Sequence, residues 1–194
     1  MPNYQGVWSL STHYQNIAGW PIDPLGAGMA IFGPTEYRAN IDSVVIPTLG
    51  NATDWGDFSG IQSGPMSLAN SSRIIMKIGD NNSSKVTTME YHNWAVVGGT
   101  WLDFGDVSST GTAYSGATVA NDTRGLIAGG VAMNSGSDIT NIEFITIAST
   151  GNVTDFGDET VARRSFVGVQ GTTRGLFAGG RDGNATYYNI IDYV

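Results

Sequence analysis

The sequence predicts an all-β repeat protein, and three observations carry that prediction. Gly is abundant, at 27 of 194 residues, and Asn, Ser and Thr crowd the stretches between short apolar runs. Such a composition fits many turns joining short strands. A unit of roughly 50 residues recurs about four times, and self-similarity at that period marks stacked supersecondary units. Three separate markers inside the unit keep one phase along the chain.

The first marker is Asp-aromatic-Gly-Asp. It stands at Asp54-Trp55-Gly56-Asp57, Asp103-Phe104-Gly105-Asp106 and Asp155-Phe156-Gly157-Asp158, with 49 and 52 residues between the leading acids. The second is a short apolar run ending in glycine. Arg124-Gly125-Leu126-Ile127-Ala128-Gly129-Gly130 matches Arg174-Gly175-Leu176-Phe177-Ala178-Gly179-Gly180, and weaker copies end at Gly33 and Gly79. The third is an apolar strand with one acid at a fixed place: Asp42, Glu90, Glu143 and Asp192.

Each unit then reads as four strands. Ser165 to Val169 is a first strand, Gly171-Thr172-Thr173 a turn, and Leu176 to Ala178 a second strand closed by the Gly pair. Ile142 to Ile147 exemplifies the third. After the Ser149-Thr150-Gly151-Asn152 turn, a fourth strand carries the aromatic. Trp55, Phe104 and Phe156 are expected to be buried between sheets, because no unit of this size covers its own faces. Asp54, Asp103 and Asp155 are expected to cap turns and strand ends. Asparagines in Asn-x-Ser/Thr triplets, such as Asn70 and Asn121, read as turn residues.

A short apolar strand ending in Gly-Gly, an aromatic about 14 residues on and a second about 12 beyond it resemble the kelch repeat. Here these are Gly129-Gly130, Phe144 and Phe156, and Tyr91 and Phe104 repeat the aromatic pair one unit earlier. The resemblance implies a kelch-like β-propeller of about four small blades over residues 28–194. The first two units depart from it, with Gly33-Pro34 and Gly79-Asp80 for the Gly pair, and Ser43 replaces the first aromatic. The phrase from Thr146 to Asp158, with Val161-Ala162-Arg163 and Thr173 to Gly180, is similar to repeats in structural proteins of marine tailed bacteriophages. The opening Tyr4-Gln5-Gly6-Val7-Trp8-Ser9-Leu10 with Trp20-Pro21 is similar to their N-termini. This resemblance implies a non-enzymatic virion component: a tail fibre, a tail appendage or a capsid decoration. Its implied partners are other virion proteins, further copies of itself in a homo-oligomer, and the host surface.

Residues 1–27 differ from the repeats and read as a docking or closing segment. Val7, Leu10, Tyr14 and Ile17 have helical spacing, and Gly19 and Pro21 end the run. A short amphipathic helix is expected there, packed on the repeats or docked on a partner. Tyr4, Trp8, Leu10, Tyr14 and Trp20 are the candidate partner-docking residues. Alternatively, Tyr4 to Leu10 supplies a strand, since the last unit stops at Asp192-Tyr193-Val194 without its fourth.

The chain offers little material for catalysis. A net charge of −8, with only 9 Lys and Arg, argues against nucleic acid and anionic membranes as partners. With no cysteine there is no disulfide framework and no thiolate metal site. No basic-then-apolar leader opens the chain and no apolar run approaches membrane-spanning length, so synthesis in the host cytoplasm without insertion is expected. Ten of the 17 acids sit at repeat-phased positions. A catalytic dyad needs two carboxylates in unlike surroundings, and copying one acid into every unit does the opposite. The strand acids are expected to pair with Arg73, Arg124 and Arg174. His13 and His92, the only histidines, cannot make a metal cluster or a triad. No catalytic residue, cofactor or metal is therefore expected. The alternative to a structural protein is a carbohydrate-binding, lectin-like propeller. Trp94 and Trp101 flank a turn that breaks the repeat consensus and are its candidate glycan-stacking residues.

Overall fold

The computed structural model describes residues 28–34, 37–46, 50–94, 99–171 and 173–194. Among them the chain is all-β, with no helix, and four antiparallel sheets follow one another in sequence. The first holds β1 (Met29–Phe32), β2 (Arg38–Val45) and β3 (Thr53–Gln62). The second holds β4 (Met66–Ala69), β5 (Arg73–Lys77), β6 (Thr88–Asn93) and β7 (Leu102–Asp106). A two-stranded ribbon of β8 (Thr112–Tyr114) and β11 (Val131–Ala132) flanks the third sheet. That sheet holds β9 (Ala117–Ala120), β10 (Arg124–Ala128), β12 (Asn141–Thr146) and β13 (Thr154–Asp158). The fourth holds β14 (Val167–Gln170), β15 (Gly175–Ala178) and β16 (Ile191–Tyr193). Each sheet is a meander in which successive strands pair, as short turn-linked strands favour. Among the described residues no strand pairing joins the first sheet to the last, and the array is not closed.

The first strands β4, β9 and β14 lie side by side. Thr118 of β9 donates to the Ser67 carbonyl of β4, and Ala120 N–H donates to the Gln170 carboxamide of β14 at 2.8 Å. Between these strands and their neighbours the turns repeat. Asn70 Oδ1 accepts from the N–H groups of Ser72 and Arg73, and Asn121 Oδ1 accepts from those of Thr123 and Arg124. Both asparagines are thus turn residues, holding the backbone as Asx-turns do.

The Asp-aromatic-Gly-Asp marker is a β-bulge. Gly56 pairs with Ile41 while Asp54 pairs with Asp42, so Trp55 is the extra residue on its strand. Phe104 and Phe156 stand in the same relation to Met89/Glu90 and Ile142/Glu143. The bulge glycines Gly56, Gly105 and Gly157 have φ of 131°, 138° and 146°, a region that L side chains rarely adopt. The motif therefore encodes a backbone device that bends each fourth strand.

Strand register also shifts one expected equivalence. Met76, Ile127 and Phe177 face Glu90, Glu143 and Asp192, which aligns Gly79 with Gly130 and Gly180, not with Gly129 and Gly179. The second glycine is the one the packing requires. A Cβ at Gly79 would collide with the Ser63 carbonyl, at Gly130 with Tyr114 O, and at Gly180 with Arg164 O. Ser63, Tyr114 and Arg164 bridge Asp80, Val131 and Arg181 at the same place in each unit. Gly79→Ala is expected to destabilise the fold by about 2–3 kcal/mol through overpacking against rigid backbone. Chemical denaturation checks this, and a loss under about 0.5 kcal/mol would mean that the backbones are not in contact.

Successive sheets pack front to back, the front of a sheet being the face toward the next one. Ile41, Trp55 and Phe58 of the first sheet receive Ile74 and Met76 of the second. Met66, Leu68, Ile75, Met89 and Phe104 of the second receive Ile127, Ile145 and Ile147 of the third. Ala117, Val119, Leu126 and Ile142 of the third receive Phe177 of the fourth. Alternation at period two supplies both faces of every strand.

Candidate functional site

The residues able to do chemistry are held in structural roles. The strand acids of the second, third and fourth sheets point backward, each onto a hydroxyl residue two positions past the bulge motif of the preceding sheet. Ser59 donates its N–H and hydroxyl to Glu90, Glu143 lies against the Ser108 hydroxyl and N–H, and Thr160 donates to Asp192 at 2.8 Å. Burial raises the Glu143 carboxyl above its ordinary range, a cost that Ser108 partly offsets. Glu90 and Glu143 are almost wholly enclosed, so no substrate reaches them.

The repeated arginines do not pair with these acids. Arg73 stacks over Tyr91, Arg124 over Phe144 and Arg174 over Tyr193, with guanidinium carbons 4.7, 5.1 and 5.2 Å from the ring centres. Such contacts are cation–π in character. Behind two of these rings the bulge aromatic adds an edge-to-face contact: Tyr91 with Phe104 and Phe144 with Phe156. The expected acid–arginine pairing is thereby corrected. One arginine outside that series, Arg163, binds Asp192 at 2.7 Å and Glu159 at 3.1 Å.

Lys77 is the residue that most resembles a nucleophile, since burial pushes its ammonium down to about 7. It is 1% exposed, however, and its Nζ donates to the carbonyls of Ile78, Val86 and Ala113. All three donors are occupied. Its counterparts Ala128 and Ala178 show that the position is one of packing. Among the described residues no group of three His, Asp or Glu is placed to hold a metal ion.

The expected aromatic sites divide. Trp55 and Phe104 are 3% and 2% exposed, whereas Phe156 is 43% exposed. Burial of Phe156 is therefore corrected: its ring meets Phe144 edge to face and lines an open cleft between the third and fourth sheets. Trp94 and Trp101 are also corrected as glycan platforms. Both are buried beside Trp55, at ring separations of 6.1 and 6.2 Å, and Trp94 Nε1 donates to the Asn70 carbonyl. No sugar ring can stack on them. Asp54 caps its own bulge, accepting from Gly56 N–H, while Asp106 and Asp158 accept the hydroxyls of Thr87 and Thr140. For Asp103 and Asp155 the register puts the side chains opposite Glu90 and Glu143. Tyr4, Trp8, Leu10, Tyr14, Trp20 and the expected N-terminal helix lie outside the described residues.

What remains accessible is the end of the array. Phe156, Arg124, Arg174, Gln170 and Val194 line a cleft of about 250 Å³ between the third and fourth sheets. Beyond it, the front face of the fourth sheet is uncovered. Register puts Val169, Leu176 and Tyr193 in one row and Val167, Ala178 and Ile191 in the next. Val167, Val169, Leu176 and Ile191 are 55, 53, 39 and 66% exposed. Their third-sheet counterparts Ala117, Val119, Leu126 and Ile142 are all buried. Sequence reasoning missed this face, although a Val-x-Val strand opposite Leu-x-Ala was its signal.

The described chain is thus an all-β array of four sheets with an accessible apolar surface at one end, and with Glu90, Glu143, Glu159 and Lys77 enclosed. Neither a protein-family profile nor a curated protein sequence matches it.

Proposed function

We propose that this chain is a non-enzymatic structural protein of a bacteriophage virion, a tail fibre, tail appendage or capsid decoration, that works by protein–protein contact. The carrying observation is the uncovered front face of the fourth sheet, where positions that are core elsewhere in the array meet solvent. A contiguous apolar face of this kind marks an interaction site. The similarity of residues 146–180 to phage structural repeats supplies the setting. Front-to-back packing of three- and four-stranded meanders, with β4, β9 and β14 side by side, supports kelch-like propeller blades as the architecture. Enclosure of Glu90, Glu143 and Lys77 favours binding over catalysis. The host surface remains a partner in this reading, through faces other than the buried Trp94 and Trp101.

Mass spectrometry of purified particles tests the proposal. Peptides of this chain are expected at a copy number comparable to other structural proteins. Ile191→Asp, which puts a charge on the exposed face, is expected to deplete the chain from particles by at least about tenfold, the equivalent of about 1.4 kcal/mol. Particles without the chain, or unchanged incorporation of the variant, would refute it.

A further inference from the structure

The back face of the first sheet carries the other half of the same packing. Three junctions inside the chain are built alike. A knob on the second strand, Met76, Ile127 or Phe177, enters a socket on the sheet before it. The socket core is Ile31 with Ile41, then Ile75 with Met89, then Leu126 with Ile142. The three knobs are 1, 1 and 0% exposed.

Register identifies a fourth knob and a fourth socket. Phe32 pairs with Asp42 as Met76 does with Glu90, Ile127 with Glu143 and Phe177 with Asp192. It is 53% exposed. Beside it Ile46, the counterpart of the buried Trp94 and Ile147, is exposed too, and Ala30 and Val44 complete an apolar surface. The fourth socket is Leu176 with Ile191, flanked by Val167, Val169 and Tyr193.

We propose that a second copy of this chain docks head to tail. The Phe32 face of one copy seats on the Leu176–Ile191 face of the next and repeats the packing found between sheets. The inference rests on the reading of the fourth-sheet face as a docking surface and names its partner. Continuity with the three internal junctions points to this occupant. Each half-junction fits a sheet of this same construction, and the described residues display each of them once. Both halves are exposed, and among the described residues no strand pairing joins the first and last sheets. The contact is heterologous, so each copy offers one knob and one socket, and copies build a ring or a filament.

Light scattering on the full chain and two variants decides the matter. The unaltered chain is expected at a multiple of its 20.5 kDa mass. Phe32→Asp removes the knob and Ile191→Asp the socket, so each variant alone is expected at the mass of one chain. Because both residues are exposed within one chain, the unfolding midpoints should match that of the unaltered chain diluted to single chains. Where either midpoint drops, Ile46→Asp and Tyr193→Asp repeat the test on the same two faces. Mixing the two variants leaves one intact knob and one intact socket per pair. The mixture is expected to form a species of twice the chain mass and nothing larger. A monomeric unaltered chain would overturn the proposal, and loss of stability on Ile191→Asp would then mean that its own residues cover the face. Assembly that survives Phe32→Asp but not Ile191→Asp would also overturn it, since that pattern belongs to two sockets meeting face to face. So would a mixture that stays monomeric. Either failure, with Ile191→Asp still depleting the chain from particles, leaves the structural role standing and assigns the face to a different virion protein.

Discussion

Replacing Phe104 by Ala is expected to cost about 3–5 kcal/mol, while the same change at Phe156 costs about 1 kcal/mol. The two residues share a motif, a bulge and a register position, so local sequence cannot separate them. What separates them is cover. Phe104 is 2% exposed in a cluster with Ile75, Met89, Ile145 and Ile147, contributed by two sheets. Truncating it removes the ring's transfer free energy and opens a cavity walled by strands that cannot collapse. Phe156 is 43% exposed and keeps Phe144 as an edge-to-face partner, at 6.3 Å between ring centres. Denaturant titration of both variants against the unaltered chain measures the difference. Equal costs would mean that Phe156 is covered to the same extent as Phe104.

The all-β class was legible because the period, the bulge motif and the strand acid are local patterns that backbone geometry imposes. Three other features were not. The acids and the repeated arginines carry opposite charge at one period, which suggests pairs. Along a strand, however, neighbouring side chains point to opposite faces. Arg124 lies on the front with Leu126, and Glu143, opposite Ile127, lies on the back. Only the register reveals that one residue of offset keeps them apart. Trp94 and Trp101 break the consensus and so looked free to bind a ligand. They instead pack on Trp55, in the sheet where Ser43 is too small to do what Tyr91 and Phe144 do elsewhere. The exposed ends were invisible for a different reason. A periodic sequence says which face is apolar, but cover depends on the neighbour, and Leu126 and Leu176 have the same sequence context with opposite exposure.

Arg163→Met is expected to cost about 3–5 kcal/mol near neutral pH, with a loss that shrinks in acid. Arg163 is wholly buried, a charge in the position that Ala113 fills one unit earlier. Its guanidinium binds Asp192 at 2.7 Å and Glu159 at 3.1 Å, donates to the Phe177 carbonyl, and lies over the Phe166 ring. Methionine restores much of the stem's packing, so most of the loss comes from stranding Glu159, itself 4% exposed, without a counter-charge. Even beside Arg163, burial pushes the Glu159 carboxyl from 4.5 up to about 7. The sign of the pH dependence follows from that shift. With the folded pKa above the unfolded one, the native state binds more protons between them. The contribution of Glu159 to stability is therefore fully present below 4.5 and is lost as pH rises through about 7. Without Arg163 the folded pKa rises further and the loss extends to higher pH. The deficit of the variant should accordingly be smaller at about pH 5 than at about pH 8 in denaturant titrations, and Glu159→Gln in the same chain should flatten the difference. A deficit of equal size at both pH values would place the loss in packing and in the Asp192 contact, and would remove Glu159 from this account.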